Sequence, residues 1–276
     1  VISDSSGNLY GTTTFANSNG GFGVVFELDA SGTYTTLYTF TGGADGGNPF
    51  AGVTRDSAGN LYGTTFYNGN ASGQNNGMGV VFKLDSTGNF NVLHTFAGPD
   101  GANPRGVLVL DRAGNLYGTA EKGGSGKGTV FKLDPAGNFT VLHTFTGADG
   151  AAPAAGVIRD SKGNLYGTTY GGGANNAGAV FRLSPKGRME VLYSFKKGVV
   201  GGAGSEPASG VVRDAVGNLY GATSLGGRKC DNGNEREGCG AVYRLSPAGE
   251  IFVFRVLNAG TGSNPAGDLV RFKGYV

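Results

Sequence analysis

Residues 155–195 read Ala155-Gly-Val-Ile-Arg-Asp160, Ser161-Lys-Gly163, Asn164-Leu-Tyr-Gly-Thr-Thr169, a Gly-rich loop, Ala179-Val-Phe-Arg-Leu183, Ser184-Pro-Lys-Gly187 and, after Arg188, Met189-Glu-Val-Leu-Tyr-Ser-Phe195. Four short runs rich in Val, Ile, Tyr, Phe and Thr alternate with Gly, Asp, Ser, Asn and Pro, the pattern of strands punctuated by turns. The core of this unit, Gly-Asn-Leu-Tyr-Gly, returns at 7–11, 59–63, 114–118, 163–167 and 217–221. The Asp closing each first run (Asp4, Asp56, Asp111, Asp160, Asp214) recurs at spacings of 52, 55, 49 and 54 residues. A period of about 50 with four strands per unit suits a β-propeller blade. No stretch holds apolar residues at helical spacing over three turns, so no helix is expected.

The expected fold is therefore all-β: a five-bladed β-propeller, four antiparallel strands per blade, in one domain over residues 1–276. The units are placed at about 1–47, 48–102, 103–151, 152–205 and 206–263, with a closing strand at 264–276. Asn264-Pro-Ala-Gly-Asp-Leu-Val-Arg aligns with Asn48-Pro-Phe-Ala-Gly-Val-Thr-Arg, so the chain holds six first-type strands for five complete blades. The extra strand is expected to latch the ring beside Val1–Asp4 and remove both open edges. The alternatives are the start of a sixth blade or a strand donated to a neighbouring copy.

Tight turns account for one end of each blade. Asp opens and Gly closes the link between strands one and two, where Asp can accept backbone N–H groups and Gly tolerates positive φ. Asp29–Gly32, Asp85–Gly88, Asp134–Gly137, Ser184–Gly187 and Ser246–Gly249 serve strands three and four in the same way. The connections at the opposite end vary in length and composition, and such loops on a regular scaffold are where function is sought first.

Composition narrows the classes. The 276 residues include 55 Gly and no Trp, with 15% charged residues and a net charge of +2 without charge runs. Gly recurs at fixed offsets between strands, which argues against a disordered low-complexity chain. No basic patch suggests a nucleic-acid partner, and no apolar stretch is long enough for membrane insertion. The chain opens at Val1-Ile-Ser-Asp, inside a first strand, and is read as a processed or trimmed product whose leader and anchor are out of view. Cys230 and Cys239 fall in the longest loop of the last unit, and a disulfide between them would restrain a segment without a hydrophobic anchor. Two free thiols are the alternative reading. A disulfide implies an oxidising compartment, hence a secreted or cell-surface protein.

The candidate ligand-binding residues are Asp45, Asn48, Phe66, Tyr67, Asp100, Asn103, Arg105, Glu121, Asp149 and Tyr170. Asp45, Asp100 and Asp149 share one loop position, with Asn48 and Asn103 beside two of them. Their oxygens suit Ca²⁺ or sugar hydroxyls, although Asp-Gly is also an ordinary turn. No cofactor is required by anything in the sequence. Phe66, Tyr67, Glu121 and Tyr170 mark where the units diverge after Tyr-Gly-Thr, and Arg105 replaces Phe50 and Ala154 at the start of an inner strand. Aromatic faces with loop amides make glycan binding chemically plausible. His94 and His143 are placed on outer strands, away from the loop end, and a shared metal site between them is not expected. The Tyr at the centre of each Gly-Asn-Leu-Tyr-Gly is assigned to packing between blades.

Asp-Ser-x-Gly-Asn-Leu-Tyr-Gly-Thr-Thr, Gly-x-Val-Phe-x-Leu, Val-Leu-His-Thr-Phe-Thr-Gly and Ala-Asp-Gly-x-x-Pro, recurring in order, closely resemble the GloVer tandem repeats of secreted bacterial proteins. The resemblance spans all five units and implies an extracellular repeat protein with no established reaction. A Cys pair before Gly-Ala-Val-Tyr-Arg-Leu also looks like that family. The hairpins resemble, more loosely, NHL-type propeller blades, which mostly bind partners. The expected function is an extracellular binding module recognising glycan or another ligand on the variable loops, and the sequence leans away from an enzyme. The alternatives are a polysaccharide hydrolase or lyase using loop carboxylates, and a structural unit that self-assembles through its C-terminal strand.

Overall fold

The computed structural model describes residues 1–16, 21–67, 77–197, 202–226, 239–257 and 265. The chain forms five sheets of four antiparallel strands, each in the order first-second-third-fourth, which are the blades of the expected five-bladed propeller fold. Second strands are Leu9–Thr13, Leu61–Thr65, Leu116–Ala120, Leu165–Thr169 and Leu219–Thr223. Third strands are Val24–Leu28, Val80–Leu84, Thr129–Leu133, Ala179–Leu183 and Ala241–Leu245. Fourth strands are Tyr34–Thr39, Phe90–Thr95, Phe139–Thr144, Met189–Ser194 and Ile251–Val256. First strands are shorter than the sequence suggests, two residues each, as in Thr54–Arg55 and Val212–Arg213. No helix among the described residues is long and apolar enough to cross a membrane. The proposed latch lies almost wholly outside the described residues.

Two compact units divide the chain, Val1–Leu142 and His143–Val276, with the boundary inside the fourth strand of blade 3. In the first, Val25, Phe40, Val53, Leu61, Val80 and Phe82 share one buried cluster and Val81, Phe96, Leu108, Leu116 and Phe131 another. In the second, Val180, Phe195, Val211, Leu219, Tyr243 and Leu245 form the core.

One cross-strand pair recurs in every blade. The Gly of Leu-Tyr-Gly lies directly opposite the aromatic residue of the third strand: Gly11 and Phe26, Gly63 and Phe82, Gly118 and Phe131, Gly167 and Phe181, Gly221 and Tyr243. The ring covers the glycine so closely that a Cβ on Gly63 would sit 2.5 Å from Phe82 Cζ. Space, not φ, demands glycine here. The far edge of the same ring meets a Phe that ends the preceding blade's fourth strand, with centroids 5.3 Å apart for Phe40 and Phe82 and 5.4 Å for Phe96 and Phe131. In the second unit, Phe145 meets Phe181 at 5.3 Å and Phe195 meets Tyr243 at 5.2 Å.

The hairpins follow the expected chemistry and add a bond the sequence reading lacked. Asp56 Oδ1 accepts the N–H groups of Ala58 and Asn60, while Oδ2 accepts Asn60 Nδ2 and the Tyr62 hydroxyl. The hydroxyls of Tyr10, Tyr117, Tyr166 and Tyr220 donate to the corresponding Asp. The tyrosine also serves the seam between blades, since Arg55 lies 5.4 Å over the Tyr10 ring and Arg213 lies 5.5 Å over Tyr166. The fourth strand carries a bulge in blades 1, 2, 4 and 5, where the register shifts after Val25, Val81, Val180 and Val242.

Tyr243 is the exception among four phenylalanines. It is fully buried, its hydroxyl has no hydrogen-bond partner among the described residues, and burial pushes its ionisation far up. An unsatisfied buried hydroxyl costs about 1–3 kcal/mol. Tyr243→Phe is therefore expected to raise unfolding stability by about that amount, measured by chemical denaturation. A loss of stability would show that the hydroxyl is bonded.

Candidate functional site

At the loop end of blades 2 to 5, the connection entering the blade bridges to the residues that follow its own second strand. Gly47 and Tyr67 exchange two backbone hydrogen bonds, as do Ala102 and Lys122, so the end of a second strand is zipped to the connection beside it. Asn48 and Asn103 adopt left-handed φ of 55° and 57°. Their Nδ2 groups donate to the carbonyls of Thr14 and Phe66 in the preceding blade. Asn tolerates this conformation better than most residues. These two amides thus set the path of the chain.

The three loop aspartates also act structurally. Asp45 accepts the Thr41 N–H and the Tyr38 hydroxyl. Asp100 accepts the Ala97 N–H and pairs with His94 Nε2 at 2.8 Å. Asp149 accepts both Thr146 donors and pairs with His143 Nε2 at 2.7 Å. Each aspartate ties its turn to the fourth strand of its own blade, the turn role that the sequence reading gave as the alternative to ligand binding. Burial alone would raise the Asp149 carboxyl, but the bonds from Thr146 and His143 outweigh it and hold it below the usual carboxylate range. Among the described residues, no group of three or more His, Cys, Asp or Glu is placed to hold a metal ion.

The placement of the histidines away from the loop end is corrected by these same bonds. His94 stacks on Phe139 of the next blade at 3.6 Å, where Tyr38 stacks on Phe90 at 3.9 Å, and both reach the loop aspartate. An outer-strand residue beside the connection is within one side chain of it, whatever its distance from the inner strand.

Four of the candidates do come together. Arg105 lies 4.8 Å over the Phe50 ring and 5.4 Å over Phe66, and its Nη1 is 3.2 Å from Glu121 Oε2. Phe66 packs edge-on against Phe50 at 5.0 Å and against Tyr67 at 4.6 Å. Phe50 is 47% exposed although Phe66 is buried. Sequence reasoning passed over Phe50 because Phe at a strand start reads as core. Its signal was the small residue, Ala154 or Ala208, at the same position in other units.

Tyr170 belongs to a separate group in the second unit. Its hydroxyl donates to Glu206 Oε2 at 2.6 Å, and Lys197 Nζ lies 2.6 Å from Glu206 Oε1. Glu206 occupies the position of Asn48 and Asn103 and keeps the left-handed conformation, with φ of 58°. The loop amides Asn175 and Asn176 are engaged internally, with the Phe195 carbonyl and the Gly172 N–H. The loop amides that the sequence reading counts toward glycan binding in the first two units, Asn17, Asn19, Asn68, Asn70, Gln74, Asn75 and Asn76, lie outside the described residues. So does Cys230, whereas Cys239 is fully buried two residues before the third strand of blade 5.

Burial, then the hydrogen bond and charge of Asp45, push the Tyr38 hydroxyl up to about 12. Because the folded value is raised, the stability it contributes is complete below the free tyrosine value of about 10 and is lost as pH rises through the folded one. In an absorbance titration Tyr38 should ionise late, and Asp45→Asn should move one tyrosine back toward the ordinary range. An unchanged titration in that variant would refute the coupling.

The Gloeobacter/Verrucomicrobia repeat family model matches residues 65–276. No curated protein matches the sequence. Among solved structures, a gluconolactonase from Xanthomonas campestris is similar at 15% identity and a TM-score of 0.51, covering 89% of this chain and 72% of its own. A puromycin-hydrolyzing peptidase from Mycobacterium tuberculosis is similar at 11% identity and a TM-score of 0.56, covering 95% of this chain and 38% of its own. At these identities the likeness shows the propeller fold alone.

Proposed function

We propose that this chain, which belongs to the Gloeobacter/Verrucomicrobia repeat family, is an extracytoplasmic binding module that recognises glycan through the Phe50, Phe66, Arg105 and Glu121 cluster. The observation carrying the proposal is the half-exposed Phe50 ring beneath a guanidinium that is itself paired with a carboxylate. An aromatic face stacks on the C–H surface of a pyranose, and the Arg105 fork and Glu121 supply donors and acceptors for its hydroxyls. The ion pair is neutral overall, so the cluster favours an uncharged sugar over a polyanion.

The hydrolase alternative finds less support in the loop acids. Asp45, Asp100 and Asp149 are tied to their own turns, Glu121 to Arg105, and Glu206 to Tyr170 and Lys197. A glycosidase pairs two carboxylates about 5–10 Å apart across one cleft, each free to act on the substrate, whereas these carboxylates are engaged by the partners just named. The hydrolase names of similar structures belong to those proteins.

On a neutral glycan array, the protein should bind a subset of polysaccharides without releasing new reducing or unsaturated ends. Phe50→Ala and Arg105→Lys should each weaken binding at least about tenfold, since a lysine cannot reproduce the planar fork. Product release, or binding indifferent to both substitutions, would contradict the proposal. The extracytoplasmic assignment carries its own test. Peptide mapping without reductant should recover Cys230 and Cys239 cross-linked, and alkylation of both thiols in the native protein would exclude the bridge.

A further inference from the structure

At the loop end of the first two units, Thr14 stands where Phe66 stands one unit on. The match is structural, because Asn48 Nδ2 donates to the Thr14 carbonyl as Asn103 Nδ2 donates to that of Phe66. Phe15 matches Tyr67 in the same way, since the Thr13 hydroxyl donates to the Phe15 carbonyl and the Thr65 hydroxyl to the Tyr67 carbonyl. Phe50 in turn matches Arg105, each two residues beyond its Asn. All of these residues belong to the unit Val1–Leu142.

Around Phe66 the interval between neighbours is filled. The Phe66 ring is buried, its centroid lies 4.6 Å from that of Tyr67, and Arg105 lies 5.4 Å over it. One phenyl group therefore spans the distance from the residue that follows it to the residue opening the next inner strand. Phe15 and Phe50 bound the corresponding interval one unit earlier, where a threonine side chain replaces the ring. The Thr14 hydroxyl donates to the Pro49 carbonyl at 3.3 Å, which ties it to the backbone beside Phe50. Phe15 is 60% exposed and Phe50 is half-exposed. Two large exposed aromatic side chains flanking a shortened one form a surface of the kind that marks a binding site.

Building on the glycan reading above, we infer that the ligand is an oligosaccharide, one sugar of which occupies the interval at Thr14 and stacks on Phe15. A pyranose is close to a phenyl ring in size and presents C–H faces to aromatic neighbours. It takes in the first unit the place that Phe66 takes in the second. The adjoining sugar lies against Phe50, where Arg105 and Glu121 supply donors and acceptors for its hydroxyls. A single sugar engages one of the two rings, and a chain engages both.

The test is calorimetric titration of the whole chain with D-glucose, D-mannose and the di-, tri- and tetrasaccharides of β-1,4-glucan, β-1,3-glucan, α-1,4-glucan and β-1,4-mannan. In at least one series, affinity should rise at least about tenfold from single sugar to tetrasaccharide, as a second stacked ring provides. Phe15→Ala should weaken tetrasaccharide binding at least about fivefold and leave the single sugar unchanged, whereas Phe50→Ala should weaken both. Thr14→Phe, which restores the ring found at Phe66, should also weaken the tetrasaccharide selectively. Thermal unfolding of each variant controls for folding, and the exposed Phe15 is the substitution least costly to the fold. Affinity independent of chain length, or Phe15→Ala acting equally on single sugar and tetrasaccharide or on neither, would overturn the inference. With Phe50→Ala still damaging, those results would leave the glycan reading standing, while absence of binding in every series would overturn both.

Discussion

A glycine facing an aromatic ring is the constraint on which the blades depend. The second strand can carry Leu-Tyr-Gly only because the third strand lays a Phe or Tyr across the bare backbone, and that ring then fills the space a side chain would have used. Covered glycine in a strand loses its usual weakness, since the backbone is shielded and the ring is packed on both faces. The ring also makes an edge-on contact with the Phe at the end of the preceding blade's fourth strand. One pair therefore sets strand register inside a blade and the packing surface offered to its neighbour.

The same logic appears where the repeat is broken without loss of structure. In blade 5, Thr223 of the second strand sends its hydroxyl to the Ala203 carbonyl. Blade 3 has Ala120 at that position, and the residue opposite it is Thr129, whose hydroxyl reaches the equivalent carbonyl of Asp100. The donor has crossed the ladder while the bond has been kept. In blades 1, 2 and 4 the equivalent threonine instead donates to the carbonyl two residues on, so this bond to the connection is a feature of blades 3 and 5.

The fold was legible because strand period, turn residues and a period of about 50 all agree. The bulge in the fourth strand was not, since an extra residue in a run such as Val-Leu-His-Thr leaves no compositional mark. The loop aspartates were correctly located but their partners were hidden, because Tyr38, His94 and His143 become neighbours only once the turn doubles back. Arg105 and Glu121 were visible as departures from the repeat, yet Phe50 looked like an ordinary core residue. In a duplicated scaffold, shared residues report on packing and the unshared ones on whatever each blade does alone.

A double-mutant cycle on Gly63 and Phe82 tests this account most directly, with urea unfolding as the readout. Gly63→Ala alone should destabilise the protein by about 1–3 kcal/mol, the usual cost of overpacking. In a Phe82→Leu background the same substitution should cost far less, giving a coupling energy of about 1 kcal/mol or more. Additive effects, with Gly63→Ala equally damaging whether or not the ring is present, would mean that the glycine serves the backbone and not the ring that covers it.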